Sequence, residues 1–135
     1  MLHVPDGPYH EMVAHCLDGY PEEACGLLAG TADPAVARRC LPARNDAASA
    51  RVYTVNPLDL LRADRRAEAE GLELLGVFHS HTHTDAYPSA TDVAQAPDPE
   101  WHYVIVSLRH AEPEVRSFRI RDGAVVEEPV ARDGR

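Results

Sequence analysis

The segment His79-Ser80-His81 places two imidazoles at positions i and i+2. On an extended strand that spacing sends both to one face and Ser80 to the other, so the pair can converge on one metal ion. Asp92 follows eleven residues after His81, at what reads as the start of a helix, where a carboxylate can return to the same ion. Two neutral imidazoles and one carboxylate leave a fourth tetrahedral position for water, as in catalytic zinc sites rather than closed structural ones. Zinc held there, one ion per chain, lowers the pKa of its water to about 7. Hydrolysis further requires a base outside the coordination sphere, to take the proton of water and later deliver it to the leaving amine. Glu23 is the candidate, with Glu22 beside it and equally acidic. Ser89 is placed to donate a hydrogen bond to the oxyanion of a tetrahedral intermediate.

The elements that must position these residues follow from pattern. Met12, Val13 and Cys16 recur at helical spacing within residues 9–17, with Gly7-Pro8 before and Gly19-Tyr20-Pro21 after as punctuation. Residues 24–30 and 36–41 read as short strands joined by a turn-rich stretch, hence a hairpin. Residues 51–55 alternate as a half-buried strand. Asn56-Pro57 then supplies an N-cap with proline at the first helical position, for a helix over 57–70 closed by Gly71. Residues 73–78 form a strand whose end delivers the two histidines. Ser89 to Asp92 has the form of a helix start, running to about residue 96. Strands are expected over 101–108, 114–120 and 125–130, the last two joined by a hairpin turn at Asp122-Gly123. Strands and helices intermix throughout, so the expected fold class is α/β or α+β. Residues 1–130 are expected to form one domain and 131–135 a polar, frayed tail.

With 135 residues, 44% of them hydrophobic and 26% charged, the chain has the composition of a soluble globular domain. No stretch approaches the roughly 20 apolar residues of a membrane span. Residues 1–8 contain neither a basic nor an apolar signal region, so a cytoplasmic location is the expectation. Thirteen Lys+Arg against 22 Asp+Glu give a net charge of -9, which disfavours nucleic acid and anionic membranes as partners. Arg62, Arg65 and Arg66 form the dense basic cluster and read as the solvated face of a helix. Cys16, Cys25 and Cys40 are odd in number and lack CxxC spacing, so they read as reduced, buried thiols.

Glu23-Ala24-Cys25-Gly26, followed by His79-Ser80-His81, seven residues, Ser89, two residues and Asp92, resembles the JAMM (MPN+) motif E…H-[ST]-H-x7-S-x2-D at every defined position. The likeness extends through residues 20–30, Ala86-Tyr87-Pro88-Ser89, 102–107 and 119–123. It implies a single-domain JAMM/MPN fold of cytidine-deaminase-like architecture, a mixed β-sheet flanked by helices, with zinc as the metal. It also selects Glu23 over Glu22 as the base. Within the family the sequence is similar to the small bacterial branch of Mec-like CysO-cysteine peptidases. That similarity implies a ubiquitin-like sulfur-carrier protein with a Gly-Gly C-terminus as partner, and cysteine as the released group. A narrow channel would accept two glycines because they lack side chains. Deubiquitinase-like isopeptide cleavage and carrier processing are alternatives within the family. A non-catalytic MPN-type scaffold and a metal-binding protein without turnover are alternatives of another class.

His83 departs from the pattern and is a further possible ligand, as is Asp85, though both read as exposed loop residues. Cys25 lies inside an apolar strand, which makes it a structural thiol rather than a nucleophile. Trp101, His102 and Tyr103 read as packing residues, and His15 and His110 show no partner.

Overall fold

The computed structural model describes residues 1–132. In chain order the elements are β1 (Leu2–His3), α1 (Asp6–Gly19), β2 (Cys25–Ala32), β3 (Ala35–Ala43), α2 (Pro57–Ala69), β4 (Glu73–His81), α3 (Ala90–Ala94), β5 (His102–Ser107), β6 (Glu114–Arg121), β7 (Ala124–Glu128) and β8 (Val130–Ala131). They build one mixed sheet in the order β7-β6-β5-β4-β2-β3-β1-β8. β4 runs parallel to β5, and β1 parallel to both β3 and β8; the other neighbours are antiparallel. The expected mixed α/β fold, one sheet flanked by helices, is what the chain forms.

The central strands read as nearly continuous apolar runs because both of their faces are covered. On one face Leu28, Phe78, Val104 and Val106 pack with Met12 and Cys16 of α1. On the other, Leu27, Ala29, Val77 and Tyr103 pack with Ala63 and Ala67 of α2, two small residues one turn apart that let the helix lie close to the sheet. A register shift separates the pairs Leu28↔Gly76 and Ala29↔Leu74, leaving Leu75 as an extra residue in β4. Leu74 therefore joins the α2 side and Leu75 the α1 side, and strict alternation resumes toward the histidines. Gly76 admits no side chain, since a Cβ there would lie 1.9 Å from the His102 carbonyl oxygen.

Asn56 caps α2 as expected, its side chain accepting from the Leu58 and Asp59 N–H groups, and Gly71 closes the helix at φ +71°. Asp122 and Gly123 turn the β6–β7 hairpin with positive φ at both positions, the signature of a type I′ turn. Among the described residues no helix is long and apolar enough to cross a membrane.

The structure corrects several expectations. Residues 51–55 form no strand; a single bridge links Asn45 to Val55, and the Asn45 side chain satisfies backbone groups that a ladder would otherwise pair. Gly7-Pro8 lies inside α1, in a first turn whose N–H groups have no helical partner, so proline costs nothing there. α3 ends at Ala94, short of residue 96. The two-residue β1 is not visible as a pattern. Ala131, assigned to the tail, lies in β8 beside β1, while residues 133–135 of that tail lie outside the described residues.

Candidate metal and active site

Alternation along β4 puts Val77, His79 and His81 on the α2 face, and parallel pairing with β5 fixes them at His79↔Ile105 and His81↔Ser107. Ser80 faces the other way. Its Oγ accepts from the Ala24 N–H at 2.9 Å, and its own N–H donates to the Ala24 carbonyl at 2.9 Å. Ser80 thus ties the histidine strand to the residue after Glu23.

Asp92 arrives from α3. The Ser89 Oγ accepts from the Asp92 N–H at 3.0 Å, and the Ser89 N–H donates to Asp92 Oδ2 at 2.9 Å, a reciprocal capping box. Asp92 Oδ2 lies 3.2 Å from His79 Nε2 and 3.0 Å from His81 Nε2, and the two imidazole nitrogens lie 3.1 Å apart. Tetrahedral ligands about 2.0–2.1 Å from a metal stand roughly 3.3 Å from one another. The three atoms fit one ion with little adjustment.

The donor set argues the same way. His81 Nδ1 donates to the Asp85 carbonyl at 2.8 Å. With its proton on Nδ1, neutral His81 turns the Nε2 lone pair toward a carboxylate oxygen and a second imidazole nitrogen. Two imidazole nitrogens and a carboxylate oxygen this close repel unless a proton or cation lies between them. His79 is stacked on Tyr53, ring centroids 4.1 Å apart, which fixes its plane. Burial holds the His79 pKa below its ordinary value, outweighing the pull of Asp92. For Asp92 burial acts upward, but the imidazoles of His79 and His81 at close range, with the Ser89 N–H, outweigh it and hold the carboxyl far below the usual range.

Glu23 sits beside this cluster. It is 5% exposed, and its Oε1 is buried without a hydrogen-bond partner among the described residues. Burial pushes its carboxyl up to about 7, with His81 opposing the rise and Asp92 adding to it. The backbone of Glu23 is gripped from both sides, its N–H donating to the Ser49 carbonyl at 2.7 Å and its carbonyl accepting from Asn45 Nδ2 at 2.8 Å. Glu22, by contrast, is exposed.

His79, His81 and Asp92 are therefore brought together, with Glu23 and Ser89 lining the cleft over His81. His83 is outside the ligand cluster; it is exposed, 3.3 Å from the Tyr20 hydroxyl and 2.8 Å from Thr82 Oγ1. Asp85 is 63% exposed and paired with Arg109 at 2.8 Å. Cys25 is fully buried, and burial pushes its thiol up to about 12, the wrong direction for a nucleophile. His15 does have a partner, the Cys25 carbonyl at 2.9 Å from its Nε2. Asn45, Tyr53 and the tethering role of Ser80 escaped the sequence reading. Beside Tyr53, which stacks on His79, a largely apolar groove of about 400 Å³ is lined by Leu27, Val55, Leu60, Val77 and Trp101 among others.

The family model of prokaryotic homologs of the JAB domain matches residues 6–121, and the chain belongs to that family, as its resemblance to the JAMM/MPN+ pattern implied. The chain is 44% identical over 120 residues to a CysO-cysteine peptidase of Mycobacterium tuberculosis, covering 88% of this chain and 82% of that protein. It is 36% identical over 129 residues to a probable TtuB-protein conjugate cleaving protease of Thermus thermophilus, covering 93% and 80%. A solution structure of a Desulfitobacterium hafniense protein matches with a TM-score of 0.90 at 36% identity, covering 96% of this chain and 91% of that one.

Proposed function

We propose that the chain is a zinc-dependent peptidase that hydrolyses an amide bond after the Gly-Gly tail of a ubiquitin-like sulfur-carrier protein, releasing cysteine from a CysO-like carrier. The observation that carries this reading is the convergence of His79 Nε2, His81 Nε2 and Asp92 Oδ2 beside the buried, unpartnered carboxyl of Glu23. Zinc held by those three atoms would supply a Lewis acid and a water of lowered pKa. Glu23, its pKa placed near neutrality by burial, takes a proton from the attacking water as oxygen bonds to the scissile carbonyl carbon. Ser89 uses its oxygen to accept from Asp92, which leaves its hydroxyl proton to donate to the developing oxyanion. Glu23 then returns its proton to the leaving nitrogen as the C–N bond breaks, yielding a free carrier carboxylate and an amine. The carrier's tail approaches along the groove beside Tyr53, and the leaving amine departs into the cleft lined by Glu23 and Ser89.

The similarity to the CysO-cysteine peptidase supports cysteine as the leaving amino acid. The similarity to the probable TtuB-protein conjugate cleaving protease favours a second reading, isopeptide cleavage from a modified protein. A non-catalytic scaffold or plain metal-binding protein would need neither Glu23 nor Ser89 at the cluster. The test is incubation of the zinc-loaded protein with a ubiquitin-like carrier ending in Gly-Gly-Cys, read by intact mass. The expected result is loss of one cysteine, abolished by chelation and restored by zinc. Equal rates on short free peptides would replace this reading with a general small-peptide hydrolase.

A further inference from the structure

The cleft that holds the base contains one strong cation. It encloses about 480 Å³, and Glu23, Arg51, His81, His83, Thr84 and Ser89 line it. From this we infer that Arg51 is a specificity residue whose guanidinium binds the free α-carboxylate of the leaving amino acid. The inference rests on the peptidase reading above and adds what the leaving group must look like.

Glu23 gives its proton to the leaving nitrogen, so that nitrogen lies at the Glu23 end of the cleft. In an amino acid the carboxyl carbon is only about 2.5 Å from the amine nitrogen, by standard bond lengths and angle. The carboxylate of a released residue therefore falls in the same cleft. It enters a site where the two charges of a bound zinc would already be met by the carboxylates of Glu23 and Asp92, in a chain of net charge -9, and so needs a cation of its own.

Arg51 is available for that task. It is exposed and has no ion pair among the described residues. Its neighbours in type are engaged: Arg109, on the adjoining rim, is paired with Asp85 at 2.8 Å, and Arg44 forks onto Asp59 at 2.9 and 3.0 Å. The backbone around Arg51 is tethered to the catalytic elements. Its N–H donates to Ser49 Oγ at 3.0 Å, while the Ser49 carbonyl accepts from Glu23 N–H at 2.7 Å and the Ala50 carbonyl accepts from Thr82 Oγ1 at 3.3 Å. The guanidinium is thus carried by a loop fixed to both the base and the end of β4. Its planar fork matches a carboxylate in two parallel hydrogen bonds. A lysine side chain leaving from an isopeptide bond presents four methylenes where Arg51 waits, and no charge. Arg51 thus favours trimming of a terminal amino acid over cleavage of a lysine conjugate.

Three adducts of one ubiquitin-like Gly-Gly carrier test this: cysteine with a free carboxylate, cysteine amide, and lysine joined through its Nζ within a peptide. Wild type is expected to cleave the free acid with a kcat/KM on the order of tenfold or more above the amide and the isopeptide, carried mainly by KM. Arg51→Gln should bring the acid-to-amide ratio close to one, Arg51→Lys should restore part of it, and Arg109→Gln should keep it. Equal wild-type rates on acid and amide, or a ratio that survives in Arg51→Gln or collapses in Arg109→Gln, would overturn the inference while leaving the peptidase reading intact. No cleavage of any adduct by the zinc-loaded wild type would overturn both.

Discussion

Two buried imidazole–carboxylate clusters lie in this sheet, and they differ in their balance of protons and lone pairs. At the β5–β7 end, His102 Nδ1 donates to Glu128 Oε2 at 2.6 Å, and Ser117 Oγ donates to the same oxygen at 2.9 Å. The N-terminal ammonium adds a contact to Oε1 at 3.4 Å. Three donors meet one acceptor group, and the cluster is closed. At the centre, two imidazole nitrogens and a carboxylate oxygen turn toward one point, and a second carboxyl, Glu23, has an unpartnered oxygen. Burial and His–carboxylate proximity are common to both. The central cluster differs from the closed one in having acceptors left over, for a proton, a cation or a substrate to satisfy.

The sharpest way to break that distinction is to remove one imidazole from each. His81→Ala should drop bound zinc from about one ion per chain to near zero and abolish hydrolysis, measured by metal analysis and carrier cleavage. His102→Ala should keep both and instead cost about 1–3 kcal/mol in urea unfolding, since Glu128 loses its principal donor. Equal metal loss in the two variants would erase the contrast.

A smaller but still large effect is expected for the unpartnered carboxyl. Glu23→Gln should retain zinc and fold while kcat falls on the order of 10² or more. Glu22→Gln, one residue away but exposed, should be nearly silent; equal losses would show that burial does not choose between the two.

The smallest effect concerns pH. For Glu128 burial acts upward, yet the hydrogen bond and charge of His102, helped by Ser117 and the N-terminus, hold its pKa below the ordinary value. A carboxyl whose folded pKa is depressed stabilises the fold above its unfolded pKa, about 4.3, and that stability is lost as the pH falls through the folded value. Glu128→Gln should therefore destabilise by about 1 kcal/mol at neutral pH and show a shallower loss of stability on acidification from about pH 4.3 downward. Urea midpoints measured across that range give the comparison, and parallel curves would contradict it.

The histidine–aspartate cluster was legible because its two histidines are bound by local geometry: i and i+2 on a strand share a face whatever the tertiary structure. The capped start of α3 was likewise written in Ser89 and Asp92. Elements whose partners are distant in sequence were not. Residues 51–55 alternate like a strand, but Asn45 draws their backbone into a loop that grips Glu23, and no periodicity records a side chain reaching across to a backbone carbonyl. Tyr53 stacks on His79 from that loop, 26 residues away along the chain, so its role emerges only in three dimensions. Glu128 reads as one more acid at the end of β7, and its burial beside His102 depends on how β5, β6 and β7 come into register.

The capping box of α3 has a thermodynamic consequence. A helix of five residues cannot sustain itself on its own hydrogen bonds, so its start depends on the Ser89–Asp92 exchange, and the oxygen that closes this exchange, Asp92 Oδ2, is also the one directed at both histidines. An ion held by that oxygen is linked to the ordering of α3, and by reciprocity the ordering of α3 contributes to the affinity for the ion. The shortest helix described and the occupancy of the histidine–aspartate cluster thus form one equilibrium rather than two.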